Sequence, residues 1–115
     1  MLINAPATGR FLFDIIFLII SIINMIKIKF YSLLRMFLEQ NEIEIDADKI
    51  SVFALLQNIS EKTNKNLLDE IANNGILISG TIILLNGRNI FHLDKLDSVV
   101  NDSDNIDIFP PGGGG

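Results

Sequence analysis

Residues 106–115 read I-D-I-F-P-P-G-G-G-G, and the rest of the chain is interpreted outward from this stretch. Its apolar positions, Ile106, Ile108 and Phe109, predict a short strand anchored in a core. The two prolines that follow end the strand, because a proline cannot donate a ladder hydrogen bond and holds φ near −65°. The stretch therefore predicts a terminal strand with an abrupt stop.

The four residues after the prolines are Gly112, Gly113, Gly114 and Gly115. Without side chains they form a thread that can enter a channel too narrow for any Cβ. Fully extended, they reach roughly 13 Å, at about 3.3 Å per residue. Because the main-chain carboxylate of Gly115 is the chemical group at the tip, the pattern predicts a delivery arm.

A glycine run is also typical of a flexible linker, of a frayed terminus and of a phosphate-binding loop. A phosphate loop needs a helix after it, and none follows here. We therefore do not expect a nucleotide site in the tail, whereas the linker and the frayed terminus stay open.

Composition limits the class of protein. A chain of 115 residues predicts one domain with a modest core. The formal net charge of −5 argues against nucleic acid as a direct partner, because phosphate binding needs a basic surface. The chain has no cysteine, which excludes disulfides, thiolate metal sites and a cysteine nucleophile. We expect a cytoplasmic protein that binds no metal.

The N-terminal segment is unusually apolar. Residues 11–23 are apolar except for Asp14 and Ser21, but they fall short of the ~20 residues that span a bilayer, so we expect no membrane span. Met25 stands directly before a strand pattern, and we expect it to be the natural start, with residues 1–24 as an upstream extension. A membrane-associating anchor and an added helix or strand over an apolar patch stay open. We expect no chemistry from this segment.

Residues 25–111 read as one domain. Residues 26–31 alternate apolar and polar with two lysines, and residues 42–46 alternate with two glutamates. Both are predicted to be half-buried strands, and antiparallel pairing would set lysine opposite glutamate. The connection S-L-L-R-M-F-L-E-Q (32–40) is too long for a tight hairpin and suits one or two helical turns.

Two helices are predicted next. Ser51 is a plausible N-cap, and the helix after it has apolar residues at i, i+3, i+4 and i+7 before it ends around residues 63–66. That apolar stripe consists of Val52, Leu55, Leu56 and Ile59. Lys62 and Lys65 suit the negative end of the helix dipole. Leu67 to Ile71 suggest a second, short helix that Asn73, Asn74 and Gly75 terminate.

Strand patterns fill the remainder. Residues 81–85 are a continuous apolar run, Asn86-Gly87 is a hairpin turn, and residues 88–91 form a brief return strand. An apolar-anchored loop and the acidic turn 101–104 lead into the terminal strand. The order β, β, α, β, β, β predicts an α+β fold, with helices on one face of a small mixed sheet and the first strand paired to the last. Residues 112–115 form a flexible tail.

Four motifs carry a family resemblance. They are I-K-I-K-F-Y-S-L-L-R (26–35), L-N-G-R (85–88), H-L-D-K-L-D (92–97) and D-S-D-N-I-D-I-F-P-P-G-G-G-G (102–115). Together they resemble the small subunit of molybdopterin synthase, a MoaD-type sulfur carrier, over about residues 25–115. The last motif is the specific one. The resemblance implies a ubiquitin-like β-grasp fold.

The resemblance also implies a mechanism. The carboxylate of Gly115 attacks the α-phosphate of ATP on a separate E1-like adenylyltransferase, and a persulfide sulfur donor then attacks the acyl-adenylate. The resulting thiocarboxylate enters the large subunit of molybdopterin synthase and donates sulfur to a pterin precursor. Gly114 and Gly115 are the implied functional pair. The remaining tail and docking residues are Phe109, Pro110, Pro111, Gly112 and Gly113.

On this view the chain is not an enzyme by itself and binds no cofactor, since ATP belongs to the activating enzyme. Three positions depart from the family pattern. Gly112 and Gly113 stand where a valine and a small residue are common, which raises the cost of ordering the tail by about 1 kcal/mol or more per residue. Ser103 stands where glycine is common, and a positive φ there would be strained.

Other functions stay open. A ubiquitin-like modifier would use the same activated carboxylate to form an isopeptide bond with lysines of target proteins. A sulfur carrier for thiamin or cysteine synthesis is a near alternative, although Phe109-Pro110-Pro111 favours the molybdopterin type. A plain interaction domain with an inert tail is a further alternative.

Two groups of polar residues have simpler interpretations. His92 is the single histidine, and we expect it on the surface rather than as a ligand or base. The segment from Asp94 to Asp107 contains five aspartates, these two included, and Lys95 as its one basic residue. They predict a solvated acidic edge, with a docking face around the tail's entry point as the sharper alternative.

Overall fold

The computed structural model describes residues 12–20 and 24–112. Residues 12–20 form a helix, α1. The elements that follow are β1 (Ile26–Phe30), α2 (Ser32–Leu38), β2 (Glu42–Ile45), β3 (Ile50–Ser51), α3 (Val52–Thr63), α4 (Leu67–Ile71), β4 (Ala72–Asn73), β5 (Ile76–Leu77), β6 (Ile82–Leu85), β7 (Arg88–Asn89), β8 (Val99–Val100) and β9 (Asn105–Phe109). Single turns of 3₁₀-helix cover Ile90–His92 and Lys95–Asp97.

The main sheet has five strands in the order β2-β1-β9-β6-β7. The terminal strand β9 lies in the centre, parallel to β1 and antiparallel to β6. The predicted pairing of the first strand with the last is therefore confirmed, and so is the mixed sheet. Pairing of β1 with β2 sets Lys27 opposite Glu44 and Lys29 opposite Glu42, as the charge pattern predicted.

One apolar core lies between this sheet and the helices. The inward residues of β1 and β9 alternate with exposed or half-buried ones, and the stripe on α3 is completely buried. The cluster consists of Ile26, Ile28, Phe30, Leu34, Leu38, Ile43, Ile45, Val52, Leu55, Leu56, Ile59, Leu67, Ile71, Ile83, Ile90, Leu96, Val100, Ile106 and Ile108. Burial of this apolar surface is the main favourable term in folding, and it fixes β9 in place.

The predicted boundaries of α3 are confirmed. The Ser51 hydroxyl accepts a hydrogen bond of 3.0 Å from the backbone N–H of Ala54, which caps the first turn. At the other end Asn64 adopts the left-handed conformation, with φ of 58°, and its N–H donates to the carbonyl of Ser60. Lys65 was expected to interact with the C-terminal end of α3. Its ammonium instead donates a hydrogen bond of 2.9 Å to the carbonyl of Phe37 in α2.

Several short elements differ from the sequence prediction. The helix α4 ends at Ile71, and Asn74-Gly75 forms the turn of a small hairpin between β4 and β5 rather than a helix cap. Both turn residues have positive φ, 54° and 79°, which suits a two-residue hairpin loop. The return strand β7 stops at Asn89, because the side chain of Asn89 accepts a hydrogen bond from the N–H of Phe91 and starts a 3₁₀ turn. The two-residue pair β3–β8 was missed altogether.

The apolar N-terminal segment is described only in part. In α1 the eight apolar side chains are between 39% and 67% exposed, so the suggestion that a helix here covers an apolar patch is wrong for residues 12–20. Among the residues that the structure describes, no helix is both long enough and apolar enough to span a membrane. The division into residues 1–24, 25–111 and 112–115 stays a prediction.

Candidate functional site

The tail leaves the molecule from the end of the central strand. Pro110 and Pro111 follow β9 and are half-buried, and Gly112 is exposed. Gly113, Gly114 and Gly115 lie outside the described residues, so the predicted reactive pair is not placed by the structure. The base of the tail is therefore attached to the central strand of the sheet, which is paired on both sides.

Alternation along β9 separates two faces. Ile106 and Ile108 point into the core, which confirms their prediction, whereas Asp107 and Phe109 point to the outer face. Assignment of Phe109 to the core was wrong, because adjacent residues of a strand point to opposite sides. On the outer face the ring of Phe109 stacks on that of Tyr31, with centroids 4.2 Å apart and planes 13° apart.

Tyr31 also forms a hydrogen bond on this face. Its hydroxyl donates a hydrogen bond of 2.7 Å to Oδ1 of Asp107. That hydrogen bond raises the pKa of Tyr31, and burial and the negative charges of Asp107 and Glu42 raise it further. Tyr31 follows β1 and Asp107 lies in β9, so the pair connects the first strand of the domain with the last.

The adjacent strand completes an apolar surface at the base of the tail. Ile82 of β6 pairs directly with Phe109, and directly paired residues project to the same face of a sheet. Ile82 is 40% exposed. We call Tyr31, Ile82 and Phe109 the tail collar. Its members come from three neighbouring strands or strand ends, which the sequence alone could not bring together.

A tight turn borders the tail on the same side. The N–H of Thr81 donates to the carbonyl of Ile78 at 3.0 Å, and Gly80 between them has φ of 95°. A Cβ on Gly80 would lie 3.3 Å from the backbone nitrogen of Gly112 and 3.6 Å from Cα of Pro111. Sequence analysis missed this contact. The one available signal was a glycine two residues after the apolar Ile78, a common place for a turn.

The acidic turn lies at the wrong end of β9 for a docking face around the tail. Asp104 and Pro110 flank the five residues of β9, so about 20 Å of extended chain separates them. Asp104 accepts hydrogen bonds from Nδ2 of Asn86 and from the N–H of Asn101. The simpler interpretation is favoured, in which the aspartates of this turn hold the turn and solvate the edge.

The remaining polar candidates are His92 and the acidic side chains that could bind a metal. His92 is exposed in its 3₁₀ turn and meets Phe91 edge-on, at a centroid distance of 5.5 Å, so its surface position is confirmed. Within residues 12–20 and 24–112, no group of three histidine, aspartate or glutamate side chains could hold a metal ion. The feature that remains is the strand β9 with the first residues of the tail at its end.

Comparison with known proteins agrees with this geometry. The model of the ThiS family matches residues 28–115, a span that begins within β1 at Ile28 and includes β9 and all four glycines. The chain belongs to the ThiS family. This is a family of ubiquitin-like sulfur carriers, and the α+β fold with its mixed sheet is the β-grasp fold expected from the sequence.

Two similar proteins have names that describe a function. A curated Archaeoglobus fulgidus protein whose provisional name is sulfur carrier protein is 33% identical over 78 residues, which cover 68% of this chain and 89% of the relative. The solution structure of small archaeal modifier protein 1 from Methanosarcina acetivorans is 32% identical, covers 79% of this chain and 96% of its own, and gives a TM-score of 0.63. One name describes a carrier and the other a modifier.

A third likeness concerns the fold alone. A Pyrococcus furiosus structure, provisionally named molybdopterin converting factor subunit 1, is 22% identical, with a TM-score of 0.55 over 76% of this chain and 97% of its own. The family is therefore established for this chain, whereas the MoaD-type assignment within the family is a finer question.

Proposed function

We propose that this ThiS-family chain carries sulfur as a thiocarboxylate on Gly115. One observation carries the proposal: the family match extends from Ile28 in β1 to the last glycine, and the glycines follow the central strand. A carboxylate at the end of a side-chain-free arm can reach a buried active site of another protein. Beyond Gly112, three residues extend at most about 10 Å.

The chemistry proceeds through an activated acid. A carboxylate oxygen of Gly115 attacks the α-phosphorus of ATP bound on an E1-like adenylyltransferase, and pyrophosphate leaves. The sulfur of a persulfide donor then attacks the acyl carbon and displaces AMP. A second thiol cleaves the resulting acyl disulfide, which leaves the thiocarboxylate on the carrier and a disulfide on the donor. The carrier supplies no thiol, in keeping with a chain that has no cysteine.

The sulfur acceptor in this proposal is a pterin precursor bound by the large subunit of molybdopterin synthase. Support comes from residues 102–115, whose Phe-Pro-Pro and glycine ending resembles MoaD-type carriers. The carrier then acts as the non-catalytic subunit of a two-subunit synthase in the cytoplasm. It binds no cofactor of its own, because ATP stays with the activating enzyme.

The tail collar is the proposed docking surface for both enzymes. Tyr31, Ile82 and Phe109 present apolar area at the base of the tail, and burial of such area on a partner would hold the arm at its channel. Pro110 and Pro111 keep the arm directed away from the sheet, since each restricts φ. Gly112 and Gly113 are proposed to act as a tether that connects the docked collar to the reactive end of the tail.

A modifier is the second candidate, favoured by the 32% identity to small archaeal modifier protein 1. The same acyl-adenylate would react with a lysine amine of a target protein, or with an intermediate thiol, instead of a persulfide. Activation is shared by both functions, so the two differ only in the nucleophile that consumes the activated Gly115.

The test compares free and blocked tails in ATP–pyrophosphate exchange with the E1-like enzyme of the same cell. We expect exchange with the full chain, and none with a semisynthetic chain that ends in a C-terminal amide, which keeps the length of the tail but removes the acid. Deletion of Gly114 and Gly115 keeps an acid but shortens the arm, and we expect exchange to be lost there also. Exchange supported by the amide would contradict the proposal.

A further inference from the structure

The base of the tail rests against a turn of the protein body. Gly80 lies at the third position of the turn 78–81, where φ of 95° suits glycine. Its Cβ-free side faces Pro111 and Gly112, and an added Cβ would come within 3.3 Å of the Gly112 nitrogen and 3.8 Å of Cβ of Pro111. The contact is therefore a close approach of backbone to backbone, and an added Cβ would require the neighbouring atoms to move by a few tenths of an ångström.

This turn is anchored to the core. The carbonyl of Ile71, a residue with no exposed surface, accepts hydrogen bonds from the N–H of Ile78 at 2.8 Å and from the hydroxyl of Thr81 at 3.4 Å. The next residue, Ile82, pairs with Phe109 in the sheet. The turn is thus held at both ends and provides a fixed support.

The tail segment that meets the turn is also restricted. Two consecutive prolines limit φ at positions 110 and 111, so the chain leaves β9 along a narrow range of directions. Contact with Gly80 selects among those directions on one side. We propose that Gly80 is a positioning residue that aims the tail, an inference that rests on the proposed delivery of Gly115.

The inference predicts a defect in delivery and not in chemistry. In Gly80→Ala the methyl group displaces Pro111 and Gly112, so the arm starts toward the enzyme's channel from a displaced origin. Small displacements of a reacting group lower rates steeply, and we expect kcat/KM for ATP-dependent activation to fall about ten-fold, mainly through KM for the carrier.

Gly75→Ala is the matched control. Gly75 also has a positive φ, 79°, but a Cβ there would meet no atom within 4 Å. The control therefore has the backbone strain of an alanine in this conformation without the contact to the tail. We expect its activation kinetics to match the wild type, and a fall equal to that of Gly80→Ala would overturn the inference.

Insertion of one glycine between Gly112 and Gly113 is the rescue test. A longer tether tolerates a displaced origin, so in the Gly80→Ala background the insertion should recover at least about half of the lost kcat/KM on a logarithmic scale. A general loss of folding would not respond to tail length. Failure of the insertion to recover any activity would overturn the positioning role.

A solution measurement separates this inference from the proposed function. In weakly aligned wild-type protein, the N–H residual dipolar coupling of Gly112 should be comparable in size with those of β9. Averaging of that coupling to near zero would show that the tail is not aimed, whatever the enzyme does. Conversely, a held tail in a chain that the E1-like enzyme never activates would contradict the proposed function alone.

Discussion

The ring of Tyr31 stacks on the ring of Phe109 with centroids 4.2 Å apart, at the place where the body of the protein ends and its tail begins. Tyr31 directly follows β1, and Phe109 is the last residue of β9. Because these two strands are neighbours in the sheet, the stack reinforces the end of the pairing on which the tail depends. It also forms most of the tail collar.

Loss of this stack should weaken both stability and docking. We expect Phe109→Ala to lower the free energy of unfolding by about 1–3 kcal/mol, from the lost ring contact and the lost burial. Urea unfolding followed by circular dichroism measures the change. The matched control is Phe91→Ala, since Phe91 is 65% exposed and lies away from the tail, and we expect a change within about 0.5 kcal/mol there. Equal losses in the two variants would contradict this account of Phe109.

Tyr31 should titrate above the ordinary range of a tyrosine. Asp107 accepts its hydrogen bond and so favours the protonated phenol, which raises the pKa of Tyr31 in the folded state. The stabilisation is complete below the unfolded pKa, about 10, and is lost as pH rises through the higher folded value. The chain has one tyrosine and no tryptophan, so tyrosinate absorbance reports this group alone.

Asp107→Asn should bring the titration of Tyr31 down toward its ordinary pKa. The substitution removes the negative charge and weakens the hydrogen bond that hold the proton on the phenol. Asp102→Asn is the control, because Asp102 lies in the turn before β9 and should leave the titration unchanged. An unaltered titration midpoint in Asp107→Asn would exclude Asp107 as the cause.

Replacement of Ser103 by glycine should relieve backbone strain. Its φ is 67°, which confirms the condition set from the sequence and places a Cβ in the left-handed region. We expect Ser103→Gly to raise the free energy of unfolding by about 0.5 kcal/mol, the strain relief minus the added flexibility of the unfolded chain. Ser103→Ala keeps the Cβ and should give no gain in thermal unfolding. The explanation would be contradicted if Ser103→Ala raised the free energy of unfolding and Ser103→Gly lowered it.

The acidic turn should be dispensable for docking. Asp102 lies before β9, and the tail lies after it, at a distance well beyond the Debye length of about 8 Å at physiological salt. We expect Asp102→Lys to change the association rate with the activating enzyme by less than about two-fold. Stopped-flow binding at physiological salt measures this rate, and a ten-fold change would restore the acidic docking face.

Much of the fold could be predicted because local patterns determined it. The alternation in β1 and β2, the cap at Ser51 and the hairpin at Asn86-Gly87 are each decided by a few adjacent residues, and the structure confirms them. Burial of the apolar side of β9 then required a partner strand, which β1 supplies.

Other features depend on contacts between distant residues and could not be predicted. The pair β3–β8 has two residues per strand, too few for a period to show, and its register comes from the packing of the loops around it. Gly80 meets Gly112 only because β6 and β9 are adjacent, so the local sequence indicates at most a turn at Gly80 and not its contact with the tail. Phe109 was misassigned because Ile108 and Phe109 are consecutive apolar residues, and such a pair does not show which of the two faces the core.

The candidate site also has one part that the sequence predicts and another part that only the structure shows. The run of four glycines after two prolines is visible in the sequence by itself. The tail collar and the contact of Gly80 with the tail depend on which strands are neighbours, so they could be identified only from the structure. The predicted roles of Gly114 and Gly115 stay predictions.

Intact mass spectrometry of the chain isolated from its native cell tests the central claim most directly. If the C-terminal carboxylate is the reactive group, a fraction of the chain should be heavier by the replacement of one oxygen by one sulfur, and fragmentation should place the change on Gly115. A modifier would instead leave glycine remnants on lysines of other proteins. An unchanged terminus in every molecule, with full sulfur-dependent cofactor production from a chain with a blocked C-terminus, would contradict the account.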